Sequence, residues 1–257
     1  MPTDPAIAEE PDIRAIDGWT LREFAEVTST NSLAAHLPPW TAVRATVQTA
    51  GRGRTGRRWI SDENGLWLSA VLPTPGDPAR WSLLPLAAGW AALSVIRALG
   101  LPDARLCWPN DILVGRRKLG GILVDRFSAD AAVIGIGLNV ANRPDLVDPA
   151  LNGKTARLAD LLPDTPAVIS LLLRLLAALT REHDRLESGD ASGLCRDLNH
   201  AWLHRHVHVT LAGGSGAISG HLEGIDPAGA LLLREAAGGL HALPAHRVDL
   251  LREVLPT

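Results

Sequence analysis

The change of pattern near residue 204 constrains the fold of this chain more than any other feature of its sequence. Before it, apolar segments of strand length alternate with apolar segments of helix length. After it, strand-length segments are separated by Gly-Gly-Ser-Gly, Asp-Pro-Ala-Gly and Ala-Gly-Gly. Short strands between glycine-rich turns are typical of a small all-β barrel. The pattern therefore predicts an α+β fold with domains at residues 19–204 and 205–257.

The first domain is expected to be a mixed β-sheet with flanking helices. Its strands are predicted at residues 41–48, 65–72, 104–108, 112–114, 118–124 and 132–140, and its helices at 32–37, 80–99 and 166–186. The barrel strands are predicted at 206–211, 217–225, 230–234 and 239–243. Residues 1–18 are rich in Pro, Asp and Glu without periodicity, so we expect a loose arm, and residues 141–157 are expected to form a polar loop.

The composition is that of a globular protein, with 46% apolar and 21% charged residues. The formal net charge of −3 argues against a general nucleic-acid binder, which usually carries a basic face over a whole domain. Cys107 and Cys195 lack metal-ligand spacing and no secretory signal opens the chain, so we expect reduced thiols in a cytoplasmic protein. The apolar runs near 83–96 and 168–179 are too short to span a bilayer, so we expect core helices and no membrane contact.

Positive charge is concentrated in residues 51–58, where three glycines and four arginines occur without an acid. Glycine lets backbone N–H groups approach an anion closely. Arginine adds forked donors that match carboxylate and phosphate geometry. The stretch therefore indicates a clamp for an anionic ligand. The alternative, a basic loop that contacts only solvent, would leave four like charges with no partner but each other.

Two polar motifs have both a structural and a functional interpretation. The segment Thr28-Ser29-Thr30-Asn31 suits a helix N-cap, and it also offers short donors and acceptors for a neutral urea or amide group. The segment Trp108-Pro109-Asn110-Asp111 suits a turn. It also places a carboxamide, able to contact a base or a hydroxyl, beside a carboxylate that can approach a metal–phosphate group.

The strand that begins at Lys118 is a third candidate. Lys118 follows two arginines, and a basic hairpin tip usually contacts only solvent. Gly120, however, shares the face of Lys118 at the period of a strand and is expected to remove side-chain bulk there. A lysine beside cleared space is a candidate catalytic cation. In the following strand, the polar Asn139 ends an apolar run and is the only hint of a site there.

Taken in order, these motifs resemble the pattern of the biotin–protein ligases. Each motif alone has low specificity, but the ordered set spans about residues 28–140 at compatible spacing, and the closing β segment extends it. The motifs are Ser29-Thr30-Asn31, Gln48 to Trp59 with its Gly-Arg-Gly-Arg segment, Trp108 to Asp111, Lys118 to Leu123 and Gly135 to Asn139. The sequence departs from the family pattern at Cys107, where a lysine is common, and at Gly120, which replaces the usual alanine.

The resemblance implies a role for each motif residue. The biotin-binding set is Ser29, Thr30, Asn31, Gln48, Arg52, Gly53, Arg54, Lys118, Gly121 and Gly135. The nucleotide-binding set is Arg54, Arg57, Trp59, Asn110, Asp111, Lys118 and Asn139. The catalytic set is Lys118, Arg52, Arg54 and Asp111, and Asp111 is also the candidate ligand of Mg²⁺.

The resemblance also implies a class II aminoacyl-tRNA-synthetase-like catalytic domain followed by an SH3-like β-barrel. Such an enzyme uses ATP and Mg²⁺ to convert biotin into biotinyl-5′-AMP. It then transfers the biotinyl group to a lysine in the biotin carboxyl carrier domain of an acyl-CoA carboxylase. Only about twenty residues precede the first motif, too few for the DNA-binding module of some family members, so we expect no specific DNA binding. The sequence leaves open whether the protein forms a homodimer.

Two alternative functions are compatible with parts of the pattern. A lipoate or octanoyl transferase shares the general fold, but transfer from an acyl carrier needs neither ATP nor an arginine clamp. A non-catalytic regulatory protein that holds a small anion would have no use for both Lys118 and Asp111. Release of pyrophosphate from ATP distinguishes a ligase from both.

Overall fold

The structure, a computed structural model, describes residues 10–201 and 206–253. The strands of the first sheet are β1 (Asp12–Ile16), β2 (Trp19–Val27), β3 (Thr41–Gln48), β4 (Leu66–Pro73), β5 (Arg105–Cys107), β6 (Asp111–Val114), β7 (Arg117–Asp125) and β8 (Ala131–Leu138). The α-helices are α1 (Thr30–Ala34), α2 (Leu84–Ala98), α3 (Pro144–Val147), α4 (Val168–Glu187) and α5 (Ala191–His200). The strands of the second sheet are β9 (His206–Leu211), β10 (Ala217–Ile225), β11 (Leu231–Glu235), β12 (Leu240–Leu243) and β13 (Val248–Glu253).

The first sheet has eight strands in the order β1-β2-β3-β4-β8-β7-β6-β5. In the described residues, β2 and β3 of this sheet pair in parallel and all its other neighbouring strands pair antiparallel. The sheet is therefore mixed. The second sheet is antiparallel, with five strands in the order β12-β11-β10-β9-β13. Strands and helices of this kind confirm the predicted α+β class.

Helix α1 lies in the connection between the two parallel strands. Parallel neighbours cannot be joined by a tight hairpin, so the chain must cross over between the end of β2 and the start of β3. The register pairs Val27 with Gln48, which brings the start of α1 beside the end of β3. The polar motif at residues 28–31 therefore lies next to Gln48 and the loop that follows it.

The core lies mainly on one face of the first sheet. Leu66, Leu68 and Leu72 of β4 belong to a large buried cluster shared with α2 and α4. Val71 belongs to a smaller cluster with Phe24, as expected for a strand whose successive side chains point to opposite faces. The second sheet contributes to the large cluster through β9, β10 and β11, so one core connects both sheets.

The N-terminal arm differs from the prediction. Residues 12–16 form β1, which pairs antiparallel with β2 from Asp12–Glu23 to Ile16–Trp19. The loose-arm expectation is therefore wrong for this segment, and residues 1–9 lie outside the described part. Strand β1 was missed because it has only five residues and its side chains are mostly exposed, so the brief alternation of Ile13 and Ala15 with polar residues is a weak signal.

Helix starts also differ from the predicted positions. The predicted helix at 80–99 begins as a 3₁₀ turn at Pro78–Leu83, where Asp77 accepts a hydrogen bond from the backbone N of Ala79, and α2 begins only at Leu84. Pro85 sits in the first turn, where its missing N–H costs nothing. Helix α1 starts at Thr30, two residues before the predicted position.

Strand β2, helix α5 and strand β13 were not predicted either. Helix α5 has a mostly polar sequence, and its buried positions include only Leu194 and Leu198 as large aliphatic side chains, too few to show periodicity. Strand β13 follows the last predicted barrel strand and pairs with β9 at the end of the strand order.

The polar loop predicted at 141–157 contains the short helix α3. The predicted domain boundary between 204 and 205 falls in residues 202–205, outside the described part.

Within residues 10–201 and 206–253, one helical stretch, Pro78–Ala98, is long and apolar enough to cross a membrane by length and composition, with a mean hydropathy of 1.3. Of the 18 residues of this stretch that were evaluated together, 67% are buried inside the protein. The stretch packs against α4 and the first sheet, as a core helix does.

Candidate active site

A single cavity of about 480 Å³ collects every residue that the motifs assigned to a site. It opens where α1, the Gly/Arg loop and the strands β7 and β8 meet. The C-terminal sheet closes one side, because Asp249, Leu250 and Leu251 of β13 also line the cavity. Residues from distant parts of the sequence are thus brought together, while their individual roles stay predictions.

One corner of the cavity is polar and uncharged. The Oε1 atom of Gln48 accepts a hydrogen bond from the backbone N of Thr30 at 2.8 Å and lies 3.0 Å from the Thr30 hydroxyl. The Nε2 atom of Gln48 donates to Ser61 Oγ at 2.8 Å. Ser29 occupies the N-cap position of α1, yet its side chain makes no capping hydrogen bond. The corner therefore suits a neutral polar ligand group better than it suits helix capping.

Residues that sequence reasoning missed lie behind this corner. Ser69 Oγ lies 2.5 Å from Asn31 Oδ1 and 2.7 Å from Thr30 Oγ1. Asn31 Nδ2 donates to Asp125 Oδ2 at 3.0 Å. Gly135 leaves the room this network needs, since a Cβ there would collide with the Asn31 carboxamide. Ser69 could have been found as the one hydroxyl inside the apolar strand β4, because a fully buried polar group needs a partner.

The Gly/Arg loop is a tight hairpin at the mouth of the cavity. Gly53 N donates to Arg57 O at 2.7 Å, and Trp59 N donates to Gly51 O at 2.9 Å. The hairpin turns at Thr55, which has a φ of 55°. That left-handed conformation is unusual for a β-branched residue and stores backbone strain. The Arg52 guanidinium donates to Ser32 Oγ at 3.0 Å, which attaches the loop to α1.

Two further arginines attach the loop to the C-terminal sheet. Arg54 Nη2 donates to Ala245 O at 2.9 Å, and Arg57 Nη2 lies 3.5 Å from Asp249 Oδ1 in an exposed ion pair. Burial lowers the pKa of the Arg54 guanidinium, an effect that nearby Asp111 opposes. The interpretation of a loop that contacts only solvent is therefore wrong for these arginines.

Lys118 and Asp111 form an ion pair inside the cavity. Lys118 Nζ lies 2.7 Å from Asp111 Oδ1 and 5.0 Å from the centre of the Trp59 ring. Both charged side chains are about one third exposed, so ligand can reach them. The lysine is therefore held in place by a carboxylate and an aromatic face while its charge stays available to an anion.

The space beside Lys118 is cleared by a different glycine from the one predicted. A Cβ at Gly120 would meet Leu138 and the carbonyl of Gly137, so this glycine serves strand packing. A Cβ at Gly121 would meet Lys118 Cε at 3.4 Å. The reason is a bulge, because Ile112 pairs with Gly120 while Leu113 pairs with Lys118, which breaks the period of two.

The two asparagines assigned to the nucleotide are held by the protein. Asn110 Nδ2 donates to Ile122 O at 3.1 Å. Asn139 is 2% exposed, its Nδ2 donates to Lys118 O at 3.4 Å, and its Oδ1 accepts from Asn142 at 3.0 Å. Asn139 thus fixes the backbone that carries Lys118, and its contact with a nucleotide stays a prediction.

For a metal, the motif residues of the cavity offer one carboxylate, that of Asp111. In the part of the chain that the structure describes, the side chains grouped closely enough to supply three ligands are His183, Asp184 and Glu187 of α4, and none of them lines the cavity. The cavity lining also includes the carboxylates of Asp148 and Asp249, so a cation at Asp111 would need one of these or oxygens of the substrate as further ligands.

Comparisons with known proteins identify the family. Residues 23–139 match the model of the biotin/lipoate A/B protein ligase family, and residues 203–251 match the biotin protein ligase C terminal domain. A biotin–[acetyl-CoA-carboxylase] ligase of Paracoccus denitrificans is 34% identical over 251 residues, which cover 88% of this chain and 98% of the relative. The chain belongs to the biotin–protein ligase family.

Other members of the biotin–protein ligase family resemble the chain to a similar degree. The biotin–[acetyl-CoA-carboxylase] ligase of Mycobacterium tuberculosis is 37% identical over 194 residues, 69% of this chain and 70% of the relative. The solved structure of the biotin protein ligase from Aquifex aeolicus in complex with biotin and ATP has a TM-score of 0.79 and 25% identity, covering 91% of this chain and 99% of that one. The fold of this ligase is thus shared across both of its sheets.

Proposed function

We propose that this biotin–protein ligase activates biotin with ATP to biotinyl-5′-AMP, releases pyrophosphate and transfers the biotinyl group to a lysine of a carrier domain. The observation that carries the proposal is the division of one cavity into two halves. Thr30 and Gln48 form an uncharged polar corner, whereas Arg52, Arg54 and Lys118 make the other half cationic. A ligand with a neutral polar head and a carboxylate tail matches that division.

The first step needs charge neutralisation and no general base. A carboxylic acid of this kind has a pKa near that of glutamate, about 4.3, so it is already ionised at neutral pH. Its oxygen attacks the α-phosphorus of ATP and pyrophosphate leaves. Lys118 and the arginines bring two anions together and stabilise the charge that builds up in the transition state.

Asp111 is the residue that would hold Mg²⁺ together with the phosphates. Magnesium is usually bound by one or two carboxylates plus substrate phosphates, which agrees with a single carboxylate in the motif set. The ion would supply charge neutralisation at the phosphates. Asp111 is already paired with Lys118, so when ATP binds the Lys118 ammonium would leave this carboxylate or bridge it to a phosphate.

The Gly/Arg hairpin would then act as a lid over the acyl-adenylate. A mixed anhydride hydrolyses readily, and a loop that covers it excludes water. Arg52 would close the side towards α1, and Arg54 the side towards residues 245–249.

In the second step the amine of an acceptor lysine attacks the anhydride and AMP leaves. The amine must lose a proton, and Asp111 is our candidate to assist, since it lies beside Lys118 in the cavity. The relatives are named for acetyl-CoA carboxylase, so the proposed acceptor is a biotin carboxyl carrier domain of an acyl-CoA carboxylase.

The proposal also covers the location, the binding partners and the oligomeric state of the enzyme. We place it in the cytoplasm, where its two cysteine thiols stay reduced and carrier domains are available. We further propose no membrane association, no sequence-specific DNA binding, and a solution state that is either a monomer or a homodimer. A gel-shift assay at physiological salt and light scattering after gel filtration test the last two.

The test is a reaction of the purified chain with ATP, Mg²⁺, biotin and a biotin carboxyl carrier domain, followed by intact-mass measurement of the carrier. A mass gain of one biotinyl group supports the proposal. No gain with a carrier that another ligase can modify contradicts it. Parallel reactions with lipoate and octanoate, and with ATP omitted, decide between a ligase and an acyl transferase.

A further inference from the structure

Four oxygen atoms behind the ligand corner make a row of short contacts. Asn31 Oδ1 and Ser69 Oγ are 2.5 Å apart, Ser69 Oγ and Thr30 Oγ1 are 2.7 Å apart, and Thr30 Oγ1 and Gln48 Oε1 are 3.0 Å apart. The two amide oxygens can only accept hydrogen bonds, and each hydroxyl carries one hydrogen. Three contacts therefore share two hydrogens, and one contact must lack a hydrogen.

Asp125 fixes the Asn31 end of the row as an acceptor, as the Thr30 backbone N–H fixes the Gln48 end, and the contact lengths then decide which contact lacks the hydrogen. A carboxylate only accepts, so the 3.0 Å contact with Asn31 requires the Nδ2 side of that carboxamide to face Asp125. Asn31 Oδ1 then faces Ser69 Oγ at 2.5 Å, the shortest contact of the row, so we assign the Ser69 hydrogen to it. Ser69 Oγ is left as an acceptor, and the Thr30 hydroxyl donates to it. The two hydrogens thus occupy the two shortest contacts, as expected if oxygen pairs without a hydrogen repel each other.

The result is a pair of acceptors at this point of the corner, because the Thr30 hydroxyl has already given its hydrogen to Ser69. Thr30 Oγ1, whose hydrogen points away to Ser69, lies 3.0 Å from Gln48 Oε1, which already accepts from the Thr30 backbone N. Both residues line the cavity. A ligand N–H placed between these two oxygens would be accepted by both, whereas a ligand oxygen there would meet only lone pairs.

We infer that Asp125 and Ser69 are positioning residues that make the corner select a head group with an N–H donor, such as the cyclic urea of biotin. Neither residue lines the cavity, so both act through Asn31 and Thr30. The inference rests on the proposed function and adds which head groups the site selects. A dithiolane or alkyl head group offers no N–H to this pair of acceptors, so the site would select against it.

The test compares biotin with its two cyclic-carbamate analogues, in each of which one ureido N–H is replaced by a ring oxygen. This replacement exchanges a donor for an acceptor without adding bulk. Dissociation constants are measured by calorimetry without ATP. We expect the parent protein to bind one carbamate at least about 100-fold more weakly than biotin, because its acceptors are left unpaired. Parent protein that binds both carbamates as tightly as biotin would overturn the inference.

Variants then separate positioning from simple structural support. In Ser69→Ala the Thr30 hydroxyl loses its acceptor and can turn to donate to a ligand oxygen. In Asp125→Ala the Asn31 carboxamide can flip, with the same effect. We expect the ratio of carbamate to biotin dissociation constants to fall at least about tenfold in both variants. Asp125→Asn is the matched control, since its amide oxygen still accepts from Asn31, and its ratio should stay at the parent value.

A ratio that is unchanged in Ser69→Ala and Asp125→Ala, with both ligands weakened equally, refutes the positioning role. Thermal melting identifies a variant that fails to fold, in which case the other variant and the parent ratio decide. Failure of the proposed function looks different, because the parent protein would then neither bind biotin nor release pyrophosphate.

Discussion

At the scale of single residues, three neighbours fix the position of Lys118. Asp111 pairs with its ammonium at 2.7 Å, Trp59 lies beside it, and Asn139 binds its backbone carbonyl. A partly exposed pair of this kind contributes little to stability. The arrangement instead places a lysine with restricted motion where a carboxylate and an α-phosphate would meet.

Lys118→Ala is expected to lower the rate of adenylate formation by about 100-fold or more, as removal of a transition-state charge partner does elsewhere. Biotin binding should stay measurable because the polar corner is intact. The measurement is pyrophosphate release together with biotin affinity. Arg116→Ala, at the exposed hairpin tip, is the control and should behave like the parent. Unchanged pyrophosphate release from Lys118→Ala would contradict the assignment.

A second prediction at this scale concerns the glycines that face the cavity. A Cβ at Gly135 would collide with the Asn31 carboxamide, whereas a Cβ at Gly121 would meet Trp59 at 3.3 Å and Lys118 at 3.4 Å. Gly135→Ala should weaken biotin binding strongly, because the Asn31 carboxamide has to move, and Gly121→Ala should weaken it less, because its contacts are only tight. Titration of both variants with biotin checks the order, and the reverse order would show that the Asn31 network is not part of the site.

At the scale of elements, the Gly/Arg hairpin connects two parts of the fold. Arg52 binds the start of α1, while Arg54 and Arg57 bind residues near β13. The strained turn at Thr55 lies at the tip of the hairpin, between Arg54 and Arg57. Movement of the hairpin therefore has to break contacts on two sides, which is a suitable property for a lid.

Arg52→Ala is expected to let biotinyl-AMP escape or hydrolyse at least about tenfold faster, because one side of the lid loses its attachment. The measurement is a quench assay that follows retained biotinyl-AMP over time. Arg80→Ala, at an exposed position outside the cavity, serves as the control. Retention as tight as in the parent would argue against a lid role for this arginine.

At the scale of the whole molecule, the two sheets share one hydrophobic core. Residues of β9, β10 and β11 belong to the same buried cluster as α2 and α4, and Trp108 Nε1 donates to Gly229 O at 3.4 Å between them. The cavity itself is completed by β13. The C-terminal sheet is therefore part of the site and of the core.

The shared core predicts that both sheets unfold together. No tryptophan occurs after residue 202, so tryptophan fluorescence in urea reports mainly the first sheet. Hydrogen exchange followed by mass spectrometry reports the strands β9 to β13. We expect one transition with coincident midpoints. An earlier loss of protection in the C-terminal strands, with fluorescence unchanged, would show that this sheet is a separate cooperative unit.

Sequence patterns identified the fold class and the motif residues because both depend on local chemistry. Apolar periodicity predicted most strands and the long helices, and glycine-rich turns marked the second sheet. Strand β1 and helix α5 were missed because few of their side chains are buried. The bulge in β7, which exchanges the roles of Gly120 and Gly121, has no signal in the spacing of residues.

The sequence by itself determined which residue types are present and in what order: a polar motif, a cationic loop, a lysine after a hairpin and a short antiparallel domain. Only the tertiary structure decided what lies behind them. Ser69 and Asp125 come from different strands, and their importance arises from hydrogen-bond direction across three elements. The hydrogen bond from Arg54 to the carbonyl of Ala245 likewise joins two residues that are 191 positions apart in the chain. Contacts of this kind are set by the packing of the sheets, so the local sequence contains no record of them.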